Sequence, residues 1–170
     1  DWVNFLTDLA PDAAIHLAAV NTNRTFVQED MLAIQLTNVY LPVCLSQALA
    51  RTLEKSANRL VPLIIAGSHW QTVDGRPNCP LNYYAASKQA AEELLRPAEI
   101  REAGVRVVAL RLGDVYGPRD PRKKFLNLVI TFLSQDKQLP ASPGFQGLDL
   151  VHVDDAANAF MQALDVVQNI

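Results

Sequence analysis

The sequence predicts an α/β fold, a parallel sheet with helices on both faces. Two observations predict it: short runs that are apolar at every position, and long helical patterns that separate them. Strands buried on both faces read as continuous Val/Ile/Leu runs rather than alternating ones. Their regular alternation with helices points to parallel pairing.

The elements follow in order. The chain opens inside what reads as the end of a helix, without an initiator methionine, so the natural protein is expected to start earlier. The first apolar run is Ala13-Ala14-Ile15-His16-Leu17, reached through Pro11-Asp12. Glu29 to Leu53 follows, with Leu32, Leu36, Val39, Val43 and Leu49 at helical spacing, and Pro42 should kink it. Leu60 to Ala66 is the second strand. Tyr83 to Ala103 is an Ala- and Glu-rich helix that Pro97 should end or bend. Val105 to Leu112 is the third strand, and Phe125 to Leu133 a short helix. Leu148 to Val153 is a weaker fourth strand. Asp154 to Val166 is the last helix, with Asp154 or Asp155 as its N-cap.

Composition bounds the answer. At 170 residues the chain suits one domain and is short for two. Hydrophobic residues make up 49%, as in a globular protein. Lys and Arg number 15 against 18 Asp and Glu, a net charge of −3, which gives no footing for nucleic acid or an anionic membrane. The basic stretch Arg119 to Lys124 is broken by Asp120 and Pro121 and reads as a solvated loop. Cys44 and Cys79 form no CxxC, so neither a disulfide scaffold nor a metal site is expected, and a reducing, cytoplasmic compartment is. No run of about 18 apolar residues is evident, so no membrane span is expected. The first residues carry no basic leader, so no signal peptide is expected either.

Parallel sheets bind ligands beyond the C-terminal ends of their strands. The segments to inspect are therefore Ala18 to Thr25, Gly67 to Thr72, Gly113 to Arg119 and Val153 to Asp155. Two loops collect Pro and Gly, Asp74 to Asn82 and Leu139 to Gly147. The second suits a small substrate-covering lobe.

Tyr84-Ala85-Ala86-Ser87-Lys88 carries the strongest chemistry. Tyr and Lys four apart project from one helix face. A phenol, with an ordinary pKa of about 10, is a poor base near neutrality. A neighbouring ammonium favours the phenolate, and the pair can then exchange a proton with a carbinol or carbonyl oxygen while hydride moves. Ser68 ends the second apolar run, where its hydroxyl can bond the same oxygen or simply cap a turn. His16 and His152 read as core histidines. Trp70 can line a pocket or pack.

Together these segments resemble a family. His16-Leu17-Ala18-Ala19, Asn38-Val39, Ser68, Tyr84 with Lys88, Leu110 to Pro118 and Asp149 to Asp155 are similar, in order, to elements of the extended short-chain dehydrogenase/reductases. The group they resemble is the NAD(P)-dependent epimerases and dehydratases, acting mostly on nucleotide sugars. The resemblance implies a Rossmann-like doubly wound sheet over 1–170, with 119–150 contributing to a substrate-binding lobe. It implies NAD or NADP as cofactor and a nucleotide sugar as substrate. Tyr84 would be the acid/base, Lys88 would hold the nicotinamide ribose and tune Tyr84, and Ser68 would orient the reacting oxygen. Leu17, Ala18 and Ala19 would pass along the cofactor, and Gly113, Asp114 and Val115 would lie beside the nicotinamide. Asn38 would brace this cofactor site. His69, Trp70 and Arg119 would face the substrate. A homodimer through the two long helices is implied as well.

The sequence also departs from the family. The N-terminal strand–GxxGxxG–helix that cradles a pyrophosphate is absent among 7 glycines, so the chain is expected to be the C-terminal part of such a domain. His69-Trp70 stand where dehydratases carry an acidic pair, which disfavours 4,6-dehydration. Leu148 stands where an arginine commonly holds the nucleotide phosphate; Arg111, Arg119 or Arg122 are the candidate substitutes. Epimerase or 4-keto reductase is therefore the expected function. A non-catalytic relative of the same fold, or a fragment inactive by truncation, is the alternative.

Overall fold

Eight consecutive apolar or small residues, Val61–Ser68, form β2, the strand on which everything else is built. It is buried along almost its whole length because it is the middle strand of three, in the order β1-β2-β3. The computed structural model describes residues 2–22, 27–53, 60–97, 100–101, 103–122, 124–145 and 147–168. In chain order it contains α1 (Trp2–Leu9), β1 (Ala14–His16), α2 (Gln28–Ile34), a π-helical segment Gln35–Tyr40, α3 (Leu41–Leu53) and β2. There follow a 3₁₀ turn His69–Gln71, α4 (Tyr83–Leu94), β3 (Val105–Leu112), β4 (Asp114–Tyr116), α5 (Phe125–Ser134), β5 (Leu150–His152) and α6 (Val153–Gln168).

The chain divides into two compact units, residues 1–112 with 159–170, and Gly113–Asn158. In the first unit β1 and β3 both run parallel to β2, in registers that place Ile15 beside Ile64 and Ile64 beside Val108. The alternation of β2 side chains divides the core. Leu63 and Ile65 pack with Leu49 and Leu53 of α3, Leu95 and Val105. Ile64 and Ala66 face the other way, onto Phe160, Ala163, Leu164 and Val167 of α6. Helices thus cover both faces, as the sequence predicts. Among the described strands β2 is the most buried: Ile15 of β1 is exposed and β3 is half-buried, because these strands flank the middle one. In the second unit β4 and β5 pair in parallel, Asp114 opposite Leu150. β4 was not anticipated; three residues are too few to show a period.

Gln28–Leu53 is one continuous helical stretch of 26 residues. Pro42 does not simply kink it. A proline ring excludes the carbonyl four residues back, and the stretch ahead of Pro42 widens to π geometry, with the Leu41 N–H bonded to the Leu36 carbonyl. By length and composition this stretch could cross a bilayer, contrary to expectation. Its Ile34, Asn38, Cys44, Ser46, Ala48 and Leu49 are buried, the pattern of a core helix. α6 begins at Val153, so Asp154 and Asp155 lie in its first turn and not at its N-cap. There they still favour the positive end of the helix.

Candidate active site

β2 ends where the chain turns at Ser68, and the sequence Ser68-His69-Trp70-Gln71 explains the turn. It is a capping box: the Ser68 hydroxyl accepts from the Trp70 N–H at 3.3 Å, and the Ser68 N–H donates to Gln71 Oε1 at 2.7 Å. A hydroxyl offers two lone pairs and one proton, so the cap occupies a lone pair of Ser68 and leaves its O–H to give.

α4 starts at Asn82, whose side chain accepts the Ala85 N–H at 2.9 Å. Tyr84 and Lys88 share one face of it, with Lys88 Nζ 5.9 Å from the centroid of the Tyr84 ring. Tyr84 is half-buried, and Lys88 is only 3% exposed. Loss of hydration penalises its ammonium and lowers its pKa from 10.5 to about 8. His16, at the end of β1, is 4% exposed. Burial first, and then the charge of Lys88, lower its pKa to about 4, opposed by a bond to the Thr37 backbone. The expectation of a satisfied core histidine is met by half: Nε2 has no partner among the described residues.

Trp70 brings the serine turn to this face. Its ring meets Tyr84 edge-on, centroids 6.4 Å apart at 89°. His69 stands edge-on to Trp70, and its Nδ1 lies 3.1 Å from the Leu112 carbonyl, which only accepts, so that nitrogen carries the proton. Asn38, on the π-helical segment, is fully engaged. Its Oδ1 accepts the Val20 N–H at 2.8 Å, and its Nδ2 donates to the Val20 carbonyl and to Ser87 Oγ, each at 2.9 Å. Ser87 passes its own proton to the Tyr84 carbonyl at 2.7 Å. Leu17, Ala18 and Ala19 leave β1 as exposed residues. Of the segment reaching to Thr25, Asn23, Arg24 and Thr25 lie outside the described residues.

Of the remaining predicted residues, Gly113, Asp114, Val115, Arg119 and Arg122 belong to the second unit and Arg111 to the first. Gly113 lies so close to Asp149 that a Cβ there would overlap its backbone carbonyl. The Asp114 N–H donates to that carbonyl at 2.6 Å. Lys124 Nζ reaches Asp114 Oδ1 at 3.4 Å and the Val115 carbonyl at 3.1 Å. Arg119 is exposed, with φ +65°. Two of the candidate phosphate arginines are committed elsewhere: Arg111 to Glu92 at 2.7 Å and Arg122 to Asp120 at 2.7 Å.

Gln71, Glu92 and Ser87 are the site neighbours that residue-by-residue reading missed. Signals existed: Gln71 completes an S-x-x-Q box, and Glu92 follows Lys88 by one helical turn.

Residues 1–170 match the model of the NAD dependent epimerase/dehydratase family. The chain belongs to that family. Among curated relatives of this epimerase/dehydratase family member, a dTDP-glucose 4,6-dehydratase of Actinoplanes sp. is 31% identical over 161 residues, covering 90% of the chain and 48% of the relative. A CDP-abequose synthase of Yersinia pseudotuberculosis is 29% identical over 157 residues, covering 92% of the chain and 52% of the relative. The chain therefore spans about half the length of the curated relatives it matches. A crystal structure of UDP-glucuronic acid 4-epimerase from Bacillus cereus, in complex with UDP-glucuronic acid and NAD, aligns with a TM-score of 0.71 at 23% identity, over 97% of the chain and 52% of the epimerase. The ADP-L-glycero-D-manno-heptose-6-epimerase of Helicobacter pylori aligns at 0.73 and 22%, over 96% and 52%. These two likenesses establish the shared fold.

Proposed function

We propose that the protein is a NAD- or NADP-dependent epimerase or 4-keto reductase acting on a nucleotide sugar, with Tyr84 as its acid/base. The observation that carries this reading is the meeting of three parts at one ring: Tyr84, the Lys88 ammonium 5.9 Å from its centroid, and Trp70 of the Ser68 turn edge-on to it. The cofactor would supply a hydride acceptor and donor. The residues present fit it: the buried ammonium of Lys88 suits a ribose diol, and Leu17 to Ala19 are exposed just past a strand end. The roles of Gly113, Asp114 and Val115 beside the nicotinamide, and of Arg119 at the substrate, rest on the family resemblance alone.

Tyr84, as phenolate, takes the proton of a sugar hydroxyl as hydride departs, and returns it to the keto oxygen on reduction. Lys88 favours the phenolate. Ser68 gives its O–H to the same sugar oxygen. His69 and Trp70 face the sugar; a part for 119–150 in a substrate-binding lobe rests on the family resemblance alone. The dehydratase names among the relatives favour elimination of water as a second reading. Tryptophan, second of the pair after Ser68, has no acid or base to offer, which supports the first.

The groove between α2–α3 and α4, about 640 Å³, is lined by Leu32, Leu36, Tyr40, Tyr83 and Leu94. It supports a homodimer through these helices, which Leu36→Arg should dissociate in sedimentation. Free Cys44 and Cys79 suit the cytoplasm.

The experiment is turnover of UDP-glucuronic acid and dTDP-glucose with NAD, and of a 4-keto nucleotide sugar with NADH or NADPH, by the full-length protein and its Tyr84→Phe variant. Loss of a general acid/base should slow turnover by about 10²- to 10⁴-fold. Equal turnover in the two proteins defeats the reading. An epimer from the first two substrates, or a 4-hydroxy sugar formed from the 4-keto substrate at the expense of the reduced cofactor, supports it; a dehydrated product favours the second reading. NAD binding without turnover of any nucleotide sugar would favour a non-catalytic relative.

A further inference from the structure

The turn after β2 is fastened by residues that the acid/base reading does not use. Gln71 is wholly buried, and its amide works in two directions. Oε1 accepts the Ser68 N–H at 2.7 Å, and Nε2 donates to Glu92 Oε1 at 2.7 Å. Glu92, also buried, is held from β3 by Arg111, with Nη2 at 2.7 Å from Oε2 and Nε at 3.3 Å from Oε1. Arg111 Nη1 returns to the turn at Thr72 Oγ1, 3.3 Å away. The direction of donation is fixed, because a guanidinium and an amide NH₂ only donate and a carboxylate only accepts.

Position explains why these groups meet. The β2–β3 register sets Arg111 beside Gly67, next to Ser68. Glu92 lies one helical turn past Lys88 and two past Tyr84, so one face of α4 carries phenol, ammonium and carboxylate. A capping box accepts Glu or Gln equally. Only the amide can also donate to Glu92, so the carboxylate on α4 selects glutamine at 71. For stability alone the Glu92–Arg111 pair is a weak device, since the arginine is exposed and water screens it.

We propose that Gln71, anchored by Glu92 and Arg111, is a positioning residue that fixes the Ser68 hydroxyl relative to the α4 face bearing Tyr84 and Lys88. The inference rests on the reading of those three as the reacting groups. The network ties the turn to the helix by hydrogen bonds whose donors and acceptors are all matched.

The test uses the full-length protein with UDP-glucuronic acid or dTDP-glucose and NAD, and four sets of variants. Gln71→Leu removes both bonds. Gln71→Glu sets two carboxylates face to face. The exchange Gln71→Glu with Glu92→Gln restores the bonds of residue 71 to Ser68 and to residue 92 with amide and acid reversed, keeps an acceptor for Arg111 Nη2, and gives up only the longer bond from Arg111 Nε. Ser68→Ala and Tyr84→Phe are the controls. Both single Gln71 changes should lower kcat by up to about 100-fold, as a misplaced group does, with KM little changed. The exchange should recover most of that loss. Apart from catalysis, Ser68 amide hydrogen exchange should quicken in Gln71→Leu and slow again in the exchange. Controls that lose turnover while both Gln71 variants keep wild-type kcat overturn this inference alone. An exchange variant that regains thermal stability but not kcat overturns it too. Controls that keep full turnover overturn the triad, and the inference with it. The isosteric pair carries the test if Gln71→Leu does not fold.

Discussion

Asn38 Nδ2 lies 2.9 Å from Ser87 Oγ, a buried bond between the π-helical segment and α4. Ser87 continues it to the Tyr84 carbonyl, so the backbone that presents the candidate acid/base is braced from the neighbouring helix. Asn38→Leu should leave the Val20 N–H, the Val20 carbonyl and Ser87 without that partner. Stranded buried polar groups cost about 1–3 kcal/mol each, and some will relax toward water, so a loss of about 2–4 kcal/mol is expected in urea unfolding. A change within error would show that the bonds are not what holds Asn38 in place.

Lys88 makes stability depend on alkaline pH. Its folded pKa of about 8 lies below the ordinary 10.5 because burial disfavours the charge. Between these values the unfolded chain binds the proton more tightly, so unfolding free energy should rise from pH 8 to 10.5. Below pH 8 the full burial penalty applies. Lys88→Met should stabilise the cofactor-free protein at neutral pH by about 1–3 kcal/mol and flatten the alkaline rise. Parallel curves for the two proteins would contradict this.

His16 acts in the acid range by the same rule. Its folded pKa of about 4 is depressed from 6.5, so its contribution is present above 6.5 and lost as pH falls toward 4. The loss amounts to about 3 kcal/mol, and His16→Leu should remove it. Because the charge of Lys88 is the second cause, Lys88→Met should shrink the acid loss as well. Chemical denaturation across pH 4–7 reads both effects.

Two glycines separate space from backbone. A Cβ on Gly67 would sit 2.8 Å from Gln71 Oε1, 3.0 Å from Arg111 Cγ and 3.0 Å from Glu92 Oε1. Gly67→Ala should therefore cost about 1–3 kcal/mol as overpacking. Gly75 has φ +70° and open space around it, so Gly75→Ala should cost only about 1–2 kcal/mol of left-handed strain. The two differ further in that the Gly67 change should also lower the anchoring of Ser68, visible as faster amide exchange there.

β2, β3, α4 and α5 were legible because each has a strong local pattern that tertiary packing reinforces. Val105–Leu112 was read to the residue. β4 was not, because a three-residue strand exists only through its pairing with β5. The π geometry before Pro42 was also hidden, since proline announces a disturbance without saying how the helix absorbs it. At the candidate site, Tyr84 and Lys88 stood out by their spacing on one helix, and Ser68 by its place at the end of an apolar run. The links to Gln71, Glu92 and Arg111 were not, because they join segments 19 to 21 residues apart through side chains whose types alone name no partner.

The Ser68 cap narrows what evolution or an engineer can place at that position. Aspartate would close the turn but has no proton to offer when ionised, and alanine provides neither function. Serine and threonine alone hold an acceptor and a donor on one short oxygen. If the proposed role of Ser68 holds, replacement tolerance at residue 68 should therefore collapse to this pair, since an alanine there removes the turn's cap together with the hydroxyl donor.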